Sequence, residues 1–292
     1  MSNNLDRVIV LVKTFLRDGY LYDCLSGLEE NLPEVSVLVV DDGRMTPVKE
    51  RAIDNLESFG GKWIMMPFDS GFGAKSNEAI RYLNGREKFV EQVATVFDVP
   101  RRLLPTERPY LLIGSDDFDF RPKDVREGII KLVGVLDNAP TIGIASGRVN
   151  GRPYEYMLED KGEIIIEHPV DYTKVPLIKT PNNFWYHPVD LTVNYSLIRR
   201  NLLGFGARPE IHWDDDVKIG GGEHGAFFVD ALRADIGVAI VPDVNIFEQV
   251  GKPVSAEYSA MRGRARRPER ESFKKRGIKT YVCGGGSVER VP

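Results

Sequence analysis

Continuous apolar, β-branched runs separated by amphipathic stretches dominate the first third of the chain. The run 8–12 is apolar at every position, the pattern of a strand buried on both faces of a parallel sheet. A second run of this kind spans 35–40. Between them Leu21, Cys24, Leu25 and Leu28 recur near helical spacing, so 20–32 predicts a helix and the three segments a β-α-β unit. Further strands are predicted at 63–66 and 110–114, preceded by helical stretches at 48–59 and 77–83. The expected class is α/β, an open sheet with flanking helices.

From 142 onward the pattern is less regular. Strands are expected at 142–146 and 163–167, then a loop rich in Pro, Asn and aromatics over 175–190. Helical stretches at 196–203 and 223–234 precede a strand at 237–241. Neither a repeat nor a dividing linker is visible, so a single domain is expected. The tail over 258–276 is strongly basic, and 284–286 reads as the start of a frayed end.

Composition narrows this picture. A chain of 292 residues, 42% hydrophobic, can bury a substantial core. A net charge of -4 provides no global field for nucleic acid or membrane surfaces. Cys24 and Cys283 form neither a disulfide framework nor a thiolate zinc site. The first residues read as a strand rather than a leader, and no stretch approaches the roughly 20 apolar residues of a membrane span. A soluble protein of the cytoplasm is the expectation.

The candidate chemistry lies where predicted strands end. Gly114-Ser-Asp-Asp-Phe-Asp-Phe120 sets three carboxylates after an apolar strand, where repulsion and desolvation call for a cation. Hard oxygen ligands favour Mg2+ or Mn2+; a solvated acidic turn is the alternative. Asp41-Asp42-Gly43 suits either hydrogen bonds to a nucleoside or an Asx turn. In Asp69-Ser-Gly-Phe-Gly-Ala-Lys-Ser-Asn77, Gly71 allows close backbone approach, and Lys75 and Asn77 at a helix start could cradle a diphosphate. The segment fits neither the Walker pattern nor the dinucleotide glycine pattern. Farther on, three glycines deliver Glu223 and His224 to a helix N-terminus, where a carboxylate suits a general base or a simple first-turn acid. His168 and His187 read as surface or packed residues. Phe184-Trp185-Tyr186 reads as packing or, through aromatic faces, as a sugar platform.

In this order the motifs resemble the GT-A glycosyltransferases of family 2. The carriers are Val-Lys-Thr-Phe-Leu-Arg17, Val-Val-Asp-Asp-Gly43, the 71–77 loop and Ser-Asp-Asp-Phe-Asp-Phe120. The second half is most similar to the β-1,4-N-acetylgalactosaminyltransferase-like branch, through Asn-Tyr-Ser-Leu-Ile-Arg-Arg200, the segment 213–228, Val-Pro-Asp-Val244 and the basic residues from Tyr258 to Ile278. The resemblance implies a Rossmann-like, mostly parallel sheet with a nucleotide-sugar-binding half at 1–120, an acceptor-binding and catalytic half at 121–257, and a basic tail at 258–292.

It further implies an inverting, metal-dependent transfer of a hexose or N-acetylhexosamine from a UDP-sugar to an acceptor hydroxyl. Thr14, Arg17, Asp41, Asp42, Gly71, Lys75, Asn77 and Asp116 would hold the nucleotide sugar. Asp117 and Glu248 would bind Mn2+ or Mg2+. Glu223, with His224, would act as base, and Trp185, Trp213 and Asp214 would meet the acceptor. Ser115 stands where the family's Asp-x-Asp begins with Asp, and Glu248 where a His often stands. A glycan is the expected acceptor, a hydroxymethylated base in viral DNA the alternative suggested by the basic tail. A non-catalytic sugar-nucleotide-binding scaffold is the third reading.

Overall fold

The computed structural model describes residues 4–58, 60–85, 108–192, 195–204, 211–216, 223–262 and 268–291, without the side chains at 57–58, 223–224 and 268–269. The first four expected strands are present: β1 (Val8–Thr14), β2 (Ser36–Asp41), β3 (Lys62–Met65) and β4 (Tyr110–Ser115). β1 and β2 are buried along their whole length, as their unbroken apolar runs require. Helices α1 (Asp18–Asn31), α2 (Pro47–Ser58) and α3 (Phe72–Leu83) make the crossovers. α3 begins five residues before the expected 77, directly after Gly71, whose φ of 104° suits glycine.

All three pairings among these strands are parallel, and their order is β3-β2-β1-β4. The chain thus moves outward from β1 to β3 and then returns to β1's other side. This reversal opens a crevice between the carboxyl ends of β1 and β4, the place where open α/β sheets bind ligands. Thr14 pairs with Asp41, and Lys13 with Ser115, so the polar strand ends lie level with one another.

Beyond β4 the sheet becomes mixed. It continues through β11 (Ser196–Arg199), β6 (Ile142–Val149), β12 (Gly237–Glu248), β10 (Trp185–Val189) and β9 (Ile178–Lys179), with β5 (Phe118–Asp119) paired to β12. The stretch 196–203, expected to be helical, is instead strand β11 and a short 3-10 turn. Ser196, Leu197 and Ile198 are all buried between antiparallel β4 and β6, a fit that tertiary pairing imposes over local propensity. The 175–190 loop holds the short strands β9 and β10. Helix α4 (Lys123–Asn138) was not anticipated, although its buried Val125, Ile129, Leu132, Val133 and Leu136 follow helical spacing.

The carboxyl-terminal region is folded. β13 (Thr280–Val282) and β14 (Val288–Arg290) form a hairpin, and the expected frayed end at 284–286 is part of its connection, with Gly286 at φ 81°. β13 also pairs with β8 (Ile164–Pro169), which pairs with β7 (Tyr156–Asp160), completing a four-stranded second sheet. Helices α5 (Glu223–Arg233), α6 (Ala256–Arg262) and α7 (Pro268–Lys275) complete the described elements. No described helix is long and apolar enough to cross a membrane.

One glycine couples the loops after β1 and β2. A Cβ on Gly43 would lie 2.1 Å from the Phe15 carbonyl oxygen and 2.7 Å from Lys49 Nζ. Gly43→Ala is expected to destabilise the protein by about 1–3 kcal/mol, the usual cost of overpacking. A lowered urea midpoint with unchanged m-value would register it.

Candidate active site

The crevice between β1 and β4 gathers Thr14, Arg17, Asp116 and Asp117. Thr14 Oγ1 donates to Asp116 Oδ2 at 2.8 Å. The Arg17 guanidinium donates to Asp116, to Asp117 and, at 3.3 Å, to Ser115 Oγ. Rings of Tyr20 and Tyr258 lie 5.8 and 5.2 Å from its central carbon, close enough for cation-π attraction. Complete burial pushes the Asp116 carboxyl above its ordinary range, against the pull of Arg17. Arg17 is itself raised: burial disfavours its charge, and the two carboxylates outweigh that effect.

Gln249 holds the loop that carries these acids. Its backbone N–H donates to the Asp117 carbonyl at 2.6 Å, and its Nε2 donates to carbonyls of Tyr20, Asp116 and Phe118. The chain leaving β12 is thereby tied to the first turn of α1 and to the acidic loop after β4. Glu248 pairs with Phe118 in the β12-β5 ladder, which brings its backbone beside the acidic loop. Its side chain is exposed and accepts from Asn150 Nδ2 at 2.8 Å, away from Asp117.

The Asx turn that was one reading of Asp41-Asp42-Gly43 is present, Asp41 Oδ1 accepting from the Gly43 N–H at 2.8 Å. Both Asp41 oxygens accept from Lys49 Nζ, at 2.9 and 2.7 Å, and both side chains are fully buried. Burial raises the Asp41 carboxyl, with Lys49 and the Gly43 N–H opposing the rise. Asp42 accepts from Lys75 Nζ at 2.6 Å and from the Gly71 N–H at 2.8 Å. Lys75 also donates to the Thr14 carbonyl, so the cation expected near a diphosphate is committed to the strand ends. Among the described residues, these four carboxylates bond to three cations, Lys49, Lys75 and Arg17.

Asn77, expected near a diphosphate, is bonded to the 211–216 segment. Its amide exchanges hydrogen bonds with the Trp213 backbone and donates to Asp215 Oδ1 at 2.7 Å. A Cβ on Gly73 would lie 1.7 Å from the Asp214 carbonyl oxygen, so α3 and the 211–216 segment meet backbone to backbone. Trp213 is buried and stacks on Phe227 of α5 at 4.2 Å, a packing role where an acceptor platform was expected. Asp214 pairs with Arg276 at 2.6 Å, which with Lys275 outweighs burial and lowers its carboxyl. Trp185 is exposed on β10, its ring 5.1 Å from Lys179 Nζ. The backbones of Glu223 and His224 open α5; their side chains, and the glycines before them, lie outside the described residues.

Lys49 and Gln249 escaped the sequence reading. Lys49 looks like any polar residue of an amphipathic helix, and its one signal is its place just after two adjacent acids. Gln249 offers no signal of its own, because its partners are backbone carbonyls on two distant segments.

No protein-family model matches the chain, and no protein of curated function does. Solved structures do match. The S. aureus TarS fragment 1–349 aligns with a TM-score of 0.51 and 14% identity, over 83% of this chain and 60% of that one. The mannosyltransferase PcManGT from Pyrobaculum calidifontis, solved with GDP-Man and Mn2+, gives 0.51 and 16%, over 93% and 69%. GalNAc-T7, solved with UDP, GalNAc and Mn2+, gives 0.58 and 11%, over 92% and 47%. The chain therefore spans less than two thirds of the TarS fragment and about half of GalNAc-T7. It has the GT-A fold of glycosyltransferases. Similar likeness to a mannosyltransferase and to GalNAc-T7 establishes that fold and does not single out the β-1,4-N-acetylgalactosaminyltransferase-like branch.

Lys49→Met would leave Asp41 buried without its cation. It is expected to lower stability at neutral pH by about 3–5 kcal/mol, the usual cost of breaking a buried pair. A raised carboxyl is most favourable to folding below its unfolded pKa, and that contribution is lost as pH rises through the folded value. The deficit against wild type, followed by denaturant melts, should therefore shrink as the pH is lowered toward the carboxylate range.

Proposed function

We propose that the chain is a glycosyltransferase that moves a hexose or N-acetylhexosamine from a UDP-sugar to an acceptor hydroxyl of a glycan, with inversion. The observation that carries this reading is the Thr14, Arg17, Asp116 and Asp117 cluster at the switch point of a GT-A sheet. Its carboxylates and its place in the crevice suit a donor diphosphate delivered with a cation. The GDP-Man and Mn2+ of the mannosyltransferase structure, and the UDP, GalNAc and Mn2+ of the GalNAc-T7 structure, belong to the same chemistry.

The residues present fit Mn2+ or Mg2+. Such ions bind through one or two carboxylates with substrate phosphates completing the shell, and Asp117 with Asp116 supplies hard oxygen donors already drawn to a cation. Among the described residues no group of three or more His, Cys, Asp or Glu gathers, so phosphate oxygens would have to contribute. Glu248, whose Oε2 accepts from Asn150, would be a third ligand. Bound there, the ion would supply charge stabilisation for the leaving diphosphate.

The protein's own part is positioning and proton transfer. Thr14 and Arg17 orient the Asp116 carboxylate, and the Asp41-Lys49 and Asp42-Lys75 pairs fix the loops around the nucleotide. Glu223, at the amino end of α5, takes the proton of the acceptor hydroxyl as its oxygen attacks the anomeric carbon and the bond to the diphosphate breaks. Residues 1–120 serve the donor and 121–257 the acceptor. The net charge of -4 weighs against a DNA acceptor, and Lys275 and Arg276 of the tail are paired with Asp214, Asp216 and Asp230, while Arg264, Arg266 and Arg267 lie outside the described residues.

A screen of UDP-sugars against glycans and hydroxymethylated DNA, read by mass shift at rising salt, tests the assignment. Transfer to a glycan supports it; salt-sensitive transfer to DNA would move the acceptor, and absence of both transfer and UDP-sugar hydrolysis with Mn2+ would favour a scaffold. Glu223→Gln is expected to keep UDP binding while transfer falls by about 10²–10⁴. Unchanged turnover would remove it from the role. Asp117→Asn is expected to lose the Mn2+-dependent part of UDP binding in titration calorimetry.

A further inference from the structure

Arg17 reaches the acidic pair from the loop between β1 and α1 and bonds both carboxylates at once, with Ser115 Oγ as a third contact. Its side chain is only 13% exposed, and the rings of Tyr20 and Tyr258 lie within cation-π distance. A guanidinium cannot shed its charge, and its planar fork suits two acceptors side by side. Any divalent ion approaching Asp116 and Asp117 must therefore displace this bridge and meet a fixed positive charge where the dielectric is low.

We propose that Arg17 is a resident counter-ion that competes with a divalent cation for Asp116 and Asp117, and so makes cation loading depend on the nucleotide. An ion arriving alone gains the carboxylates at the expense of the guanidinium's partners. An ion arriving with a diphosphate brings new partners for that guanidinium, since Arg binds phosphate oxygens as it binds carboxylates. The exchange leaves no charge orphaned. Coupling of this kind is reciprocal, so the ion should tighten UDP by the factor by which UDP tightens the ion. Free Mn2+ without nucleotide would then occupy the site weakly, and the acidic loop would stay assembled on Arg17.

The proposal rests on the reading of this crevice as a nucleotide-sugar site, and the experiment separates the two. Mn2+ binding to the full chain is measured by loss of the free-ion EPR signal, with and without UDP, for wild type, Arg17→Ala and Arg17→Gln, each checked for folding by circular dichroism. Wild type should bind Mn2+ weakly alone and more tightly with UDP, by about 5- to 150-fold, the usual range of site coupling. Either neutral variant should bind Mn2+ more tightly than wild type in the absence of UDP and show a smaller UDP effect. Arg17→Gln keeps much of the length and hydrogen bonding, so it serves if Arg17→Ala fails to fold. Arg17→Lys retains charge without the fork and should fall between. Equal or weaker Mn2+ affinity in the folded neutral variants would overturn the counter-ion role while leaving the site reading intact. A wild type that binds neither Mn2+ nor UDP would overturn both.

Discussion

Everything in the crevice depends on how four carboxylates are kept at the ends of buried strands. Asp41 and Asp116 have side chains with no solvent exposure, and Asp42 has almost none. Carboxylates in such surroundings shift toward neutrality unless cations and N–H donors compensate. Lys49, Lys75 and Arg17 provide that compensation from α2, α3 and the loop after β1. The cations thus fix three separate crossovers against one line of acids, and Phe15, packed with Tyr258 and Met261, adds an apolar contact beside them. Breaking one pair would be costly because the other partner stays buried.

From this line a chain of contacts leads to the helix that carries Glu223. Asp42 binds the Gly71 N–H at the start of α3, Asn77 of α3 binds the Trp213 backbone, and Trp213 stacks on Phe227 of α5. On the other side, Gln249 fastens the end of β12 to the acidic loop, and Tyr258 places α6 over Arg17. The donor and acceptor parts of the proposed reaction are in this way held to one frame.

Much of the parallel half was legible in the sequence because runs such as 8–12 and 35–40 are buried on both faces, and a continuous apolar run reports that directly. β11 was not: four residues cannot display a period, and its strand conformation comes from neighbours distant in sequence. The position of Asp116 and Asp117 was legible because the strand before them is. Their partner was only half so. Arg17 was expected to meet the nucleotide, and its bridging of the two acids follows from the β1-β4 pairing, which no local pattern encodes. Likewise Asp41, Asp42 and Trp213 were recognisable as notable residues, while their contacts with Lys49, Lys75 and Phe227 depend on how the elements pack.

The meeting of Gly73 with the Asp214 carbonyl has a consequence for how such a protein can diversify. Contact between two main chains is indifferent to the side chains around it, provided residue 73 stays a glycine. The side chains of the 211–216 segment are less free: Trp213 stacks on Phe227, Asp214 pairs with Arg276, and Asp215 accepts from Asn77 and Arg81 of α3. The joint therefore couples the two halves, and any change in what one recognises must keep both residue 73 and these side-chain partners in place.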